Sequence, residues 1–348
     1  MPPVPPTADE QIQFLVNIQR LLDEGQFTAS YKFALLLALA DLSVEVGDDS
    51  GASLTLSSAA IAEKFIQYYW RQAFPYPASK NPQLLQQNPG QQAAIVRILH
   101  DAHQHHGDSL AAIKNRPGIW RGIVAAVAAV VRAMPLRYLQ NVDGGRLDFL
   151  YPESKAVIEL RPGVAYCLSK FHPLISDMVR SGWSRLVRQR NLGVLGENTD
   201  LHEFLFGSER IPLAKVRPVL LDLQEGHCFY YPKVLTVSNT HVDHFISWAR
   251  YPVDLGHNFV LADSTCNGAK RDRLPASAHL AAWTQRNAQY GDQIADGLKK
   301  GGFMSDIGAS CRVAEWAYAQ TEAAKGLTWL RSNVMERLDP GWREYFTV

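Results

Sequence analysis

The sequence predicts an α+β protein that is mostly helical, with a short strand-and-helix module set between helical regions. Three observations carry this. Apolar residues recur at three and four positions through most of residues 1–134 and again through 276–348. Between 135 and 168 the period changes and short strand-like runs appear. From 221 to 275, β-rich pieces alternate with turns and an unusual share of His, Asp and Asn.

Taken in order, the proline-rich start MPPVPPTADE leads to Thr7 and Glu10, spaced as a capping box for a helix through QIQFLVNIQRLLDEG. A second helix is expected at YKFALLLALADLSVEVG and a Ser-capped third within LTLSSAAIAEKFIQYYWRQAF. Residues 75–92, rich in Pro, Asn and Gln, read as a loop, and helical spacing returns in QQAAIVRILHDAHQHH and WRGIVAAVAAVVRAM. RYLQ, RLDFLYP and AVIELRPGVAYCL are expected as short strands, with a hairpin turn at DGG, 143–145. A helix from about 172 to 190 carries Arg180, Arg185, Arg188 and Arg190 around Trp183. Arginine at that density beside an aromatic suits phosphate contact, and a solvated helix face produces the same run. VLTVSNTHVDHF reads as a hairpin, and FVLADSTCNGAKRDRL as a strand end entering a helix. ASAHLAAWTQRNAQYGDQIADGL, SCRVAEWAYAQTEAAK and TWLRSNVMERL are expected as helices. The chain thus divides into a helical region 1–134, a small α+β region 135–220, a module 221–275, and C-terminal helices 276–348 packing on that module.

The 348 residues, 47% of them hydrophobic, suffice for two cores. A formal net charge of +1 gives no global attraction to nucleic acid or membrane, so either partner must be held by local patches. The N-terminus lacks the basic and apolar stretches of a signal peptide and no charge-free run of about 18 apolar residues occurs, so a cytoplasmic location is expected. Cys167, Cys228, Cys266 and Cys311 are far apart and form no CxxC pair, which argues against a disulfide framework. His100 and His103 stand one helical turn apart, a metal-competent spacing that a helix C-terminus attracting imidazolium also explains.

The chemistry concentrates in CFYYPKVL, HVDHFISWARYPVD and LGHNFVLADSTCNGAKRDRLP. Asp243 and His244 are followed by Asn258, then by Asn267 at the start of a helix, then by Lys270. In its order, spacing and apolar frame this resembles the HNH (ββα-metal) endonuclease family over roughly residues 222–275, with spacing like that of the HNH domains in CRISPR effector nucleases. The resemblance implies that His244 is the general base, that Asp243 and Asn267 hold one Mg²⁺ or Mn²⁺, that Asn258 orients the His244 segment, and that Lys270 contacts phosphate. His241 would add a ligand or a phosphate contact, and the arginines of 180–190 would bind DNA. Many family members carry two CxxC pairs that bind zinc. Here Tyr231 and Asp263 stand where two of those four cysteines belong, so no structural zinc is expected; His227 and His257 are the only replacement ligands in sight. The implied activity is hydrolysis of DNA phosphodiester bonds, as in restriction or anti-phage defence. A double-strand cut from single sites implies a homodimer. The alternatives are a ββα protein that binds DNA without cutting it, and a non-specific nuclease toxin switched on by a messenger or partner protein.

Overall fold

In the computed structural model, which describes residues 3–77, 82–152, 157–195, 200–207, 215–301, 303 and 305–347, Thr7 and Glu10 close the capping box of the first helix, α1 (Ala8–Glu24). The chain divides into two units, 1–209 and 210–348, so residues 135–209 belong with the first helices.

Unit 1 is a bundle around α2 (Tyr31–Val46), whose side chains are buried almost all the way round. A helix apolar on every side belongs in the middle of a core. It packs against α3 (Ser58–Tyr69), which follows the short strand β1 (Leu54–Ser57) and is capped by Ser57. Next come α4 (Ala94–His106), α5 (Leu110–Lys114) and α6 (Pro117–Ala133), which packs on α3 and α4. The stretch 117–138 is long and apolar enough to cross a membrane by length and composition, and Ile123, Val124, Val127 and Val131 are buried within the unit. The unit continues with α7 (Pro135–Tyr138), β2 (Asn141–Val142), β3 (Gly145–Arg146), β4 (Val157–Leu160), α8 (Val164–Lys170), α9 (His172–Arg190) and α10 (Leu201–Phe206). β4 pairs antiparallel with β1, and β2 with β3. Two sequence expectations change here. RYLQ belongs largely to a helix, because Pro135 sits at its first position, where a missing N–H costs nothing. The second half of AVIELRPGVAYCL is also helical, because Gly163 at φ 80° turns the strand into α8.

Unit 2 contains α11 (Arg217–Leu223), β5 (Thr240–His244), β6 (Phe259–Asp263), α12 (Ser264–Lys270), α13 (Ser277–Gly301), α14 (Ile307–Ala323), β7 (Leu327–Arg331) and β8 (Val334–Arg337). Its core includes Phe245 stacked on Trp283 at 5.1 Å, with Phe259, Tyr318, Trp329 and Trp342 also buried. Two expectations change here as well. β5 pairs antiparallel with β6 across the loop 245–258, and not with VLTV. TWLRSNVMERL is a hairpin, β7–β8, and not a helix: Asn333 takes φ 59° in a two-residue turn, a conformation that asparagine tolerates.

Candidate active site

β5, β6 and α12 follow one another as strand, strand and helix. The ladder runs from Thr240 opposite Asp263 to His244 opposite Phe259. Asn258 fixes the intervening loop: its Oδ1 accepts from the Ile246 N–H at 2.7 Å and its Nδ2 donates to the Ile246 carbonyl at 2.9 Å. On α13, Arg286 clamps the same end, donating to the carbonyls of Phe259 (2.7 Å) and His257 (2.6 Å). Among the described residues no carboxylate pairs with this guanidinium, and burial pushes its pKa down to about 9. Asp263 ends β6 and caps α12, accepting from the Thr265 N–H at 3.0 Å, so strand and helix join without a linker.

Asp243 is buried on this scaffold. Its Oδ2 accepts from the Tyr230 hydroxyl at 2.7 Å and pairs with the Lys270 ammonium at 2.9 Å. Both partners use the same oxygen, and no described residue bonds Oδ1. Lys270 is fully buried and also donates to the His244 carbonyl at 2.7 Å. Desolvation lowers its pKa, with Asp243 opposing. Burial first, then Asp243, raises that of Tyr230 far above the ordinary phenol range. The Lys270 ammonium thus stands as the ion-pair partner of Asp243 inside the fold.

His244 has different neighbours. Its Nε2 lies 2.7 Å from Asp254 Oδ1, and its ring packs at 4.9 Å from Phe259 and 5.7 Å from Trp248. A carboxylate accepting from Nε2–H places the free lone pair on Nδ1, and no described residue bonds that nitrogen. Asn267 precedes Lys270 by three residues, which puts the two on neighbouring positions of one helix face. It is half-buried and no described residue bonds its side-chain amide.

Of the residues singled out in the sequence, Asp243, His244, Asn258, Asn267 and Lys270 lie in this one unit. His241 is exposed on β5. The four arginines are in unit 1 and do not share a face. Arg180 lies over the Phe206 ring at 5.7 Å, Arg185 lines a cavity with Asp23 and Asp177, Arg188 is exposed, and Arg190 donates to the Thr28 carbonyl at 3.2 Å. Lys270 is also not a surface cation; its ammonium is turned onto Asp243. His100 and His103 contact different carbonyls, those of Ala73 and Trp70. His257 Nε2 contacts the Gly291 carbonyl.

Sequence reading missed Tyr230, Asp254 and Arg286, which act on the singled-out residues from a loop, a turn and a distant helix. It also missed Lys233. At the positions where the resemblance places zinc-binding thiols, Lys233 Nζ pairs with Asp263 Oδ1 at 2.8 Å, and Cys228 Sγ accepts from the Asp263 N–H at 3.3 Å. Lys233 and Thr265 together hold the Asp263 carboxyl down to about 2. Burial, and then the adjacent Cys228, push the Cys266 thiol up to about 11. Among the described residues, no cluster of three or more His, Cys, Asp and Glu side chains is arranged to hold a metal. A site built on Asp243 and Asn267 has a different donor set.

Residues 11–198, more than half of the chain, match the model of a domain of unknown function, DUF8808, and the chain belongs to that family. The match lies within unit 1 and includes none of β5, β6 or α12. No curated protein and no solved structure matches the chain.

Proposed function

We propose that unit 2 is a metal-dependent endonuclease of the HNH (ββα-metal) type that hydrolyses DNA phosphodiester bonds. One observation carries the reading. A strand–strand–helix unit presents a buried carboxylate with one oxygen, and on the adjoining helix face an amide, that no described residue bonds, together with a histidine oriented by a second carboxylate.

His244 takes the proton of the attacking water at Nδ1, and Asp254 steadies the imidazolium that forms by accepting from Nε2–H. Asp243 Oδ1 and the Asn267 carbonyl oxygen are hard donors suited to Mg²⁺ or Mn²⁺. When bound there, the ion supplies Lewis-acid stabilisation of charge on the phosphoryl oxygens. Lys270 and Tyr230 hold Asp243 in place through Oδ2. Phe259 and Trp248 wall the imidazole on the side of the ribbon. Unit 1, as a DUF8808 domain, is the part left to position DNA or receive a signal.

The test is supercoiled plasmid incubated with the full chain and Mg²⁺ or Mn²⁺, with and without EDTA. Relaxation or linearisation by the wild type, lost with EDTA and with His244→Ala, supports the reading. The Lys270 ammonium already on Asp243 favours a second reading, a DNA-binding protein without catalysis. A gel shift with no cleavage under either metal would establish that one instead.

A further inference from the structure

The C-terminus of α12 opens onto a groove of about 330 Å³ closed on its other side by the β7–β8 hairpin. Gly268, Arg271, Arg273, Trp329, Ser332 and Asn333 line it. Three features mark this groove. Arg271 holds φ 53° and ψ −125°, a conformation that disfavours any side chain, while its guanidinium is exposed and paired with nothing among the described residues. Trp329 is buried, and its indole N–H has no acceptor among the described residues. Gly268 faces open space, so this part of the groove floor is uncovered among the described residues.

The hairpin is rigidly placed. Trp329 donates to the Leu274 carbonyl at 2.7 Å and accepts from the Ala276 N–H at 2.8 Å, so β7 is tied to the segment directly after the arginines. Arg331 and Arg337 on the two hairpin strands are exposed and add positive charge. Asp272, between the two groove arginines, is the acidic residue on the near rim, and Glu336 is half-buried on β8. The groove and Asn267 share the short helix α12, which contributes Gly268 and Ala269 to the groove lining.

We infer that this groove holds the sugar-phosphate backbone of duplex DNA flanking the scissile phosphate, with Arg271 and Arg273 as phosphate contacts and the hairpin turn as the opposite wall. The inference rests on the nuclease reading for its choice of ligand. Guanidinium groups at a groove edge match an anionic backbone rich in acceptors. Strain held at Arg271 costs stability and gains position, a pattern found where a side chain must meet a ligand.

The experiment is fluorescence anisotropy with a labelled DNA duplex and the full-length chain carrying His244→Ala, so that nothing is cut during titration. Adding Arg271→Ala and Arg273→Ala should weaken binding by ~10-fold or more and flatten the salt slope by ~1.8, the counterion release of two phosphate contacts. Arg312→Ala, which breaks an exposed pair with Glu315, serves as the charge control and should leave both quantities unchanged. Arg271→Gly separates binding from folding: its melting temperature should hold or rise as strain is relieved, while affinity falls. Unchanged affinity and slope in the double variant would overturn the inference, as would a loss of affinity that only accompanies a loss of folding. Tighter binding of an equivalent RNA duplex would overturn the choice of DNA. The plasmid assay reports separately: cleavage that persists with wild-type kinetics when Arg271→Ala and Arg273→Ala are placed in the chain with His244 intact defeats the groove alone, whereas no cleavage by the wild type defeats the nuclease reading.

Discussion

Asp41 in unit 1 and Asp243 in unit 2 are both buried carboxylates beside a tyrosine hydroxyl and a basic side chain, and they differ in how their oxygens are used. Asp41 is closed: His172 Nε2 lies 2.6 Å from Oδ1 and the Tyr68 hydroxyl 2.6 Å from Oδ2. Asp243 receives both of its partners on Oδ2. A carboxylate with every lone pair engaged is scaffold, because any new ligand must first displace a bond that burial makes expensive to lose. One with an oxygen left over is held just as firmly and still has something to offer. The comparison therefore sets a closed structural carboxylate in unit 1 against one that, on the nuclease proposal, has an oxygen to spare for chemistry.

The largest effect should come from the chemical side. His244→Ala is expected to lower the DNA cleavage rate by on the order of 10²–10⁴, the range of a lost general base, with the urea midpoint of unit 2 little changed. A variant that still cuts at wild-type rate would break the comparison. Next, Asp41→Ala should destabilise unit 1 by about 3–5 kcal/mol in chemical denaturation, since it leaves His172 and Tyr68 facing a vacated buried site. Asp243→Asn paired with Lys270→Met removes the buried charge pair from unit 2 together. That double variant should retain most of its stability and lose cleavage, which separates holding from reacting. A smaller loss, about 1–3 kcal/mol, is expected for Asn258→Ala, which leaves both backbone groups of Ile246 without partners, and hydrogen exchange at that amide should quicken.

The subtlest test uses acid. Burial raises Asp41, but His172, Lys64 and Tyr68 together bring it down to about 2, and Asp263 is held at about 2 by Lys233 and Thr265. An unfolded aspartate titrates near about 3.9, so both carboxylates contribute stability above that pH and lose it as pH falls through about 2. Hydrogen exchange followed between those limits should show protection falling in both units. Lys233→Met should move the loss in unit 2 to higher pH and leave unit 1 alone; equal shifts in both units would refute the assignment.

Much of the fold was legible where a single helix carries its own pattern. The capping box of Thr7 and Glu10, the all-apolar α2 and the long α9 and α13 follow from local spacing and end signals. The β7–β8 hairpin was not, because TWLRSNVMERL fits helical spacing and its turn lacks glycine; only Asn333 marked it. The partner of β5 was also missed, since pairing across the loop 245–258 is decided by packing on α12 and α13 and not by anything adjacent in the chain. The site divides the same way. Asp243, His244, Asn258, Asn267 and Lys270 sit in one readable motif, whereas Asp254, Tyr230 and Arg286 are ordinary residues in sequence whose value comes from what the fold brings beside them.

The join between β6 and α12 has a consequence for handling the protein. Its positive charge is an ammonium tethered to the chain at Lys233, locked to the residue that starts the helix. A chelator can strip an ion but cannot strip a side chain. On the nuclease proposal, EDTA should therefore abolish cleavage reversibly with the scaffold intact, so that inhibition by chelation reads as the loss of a reagent and not as denaturation.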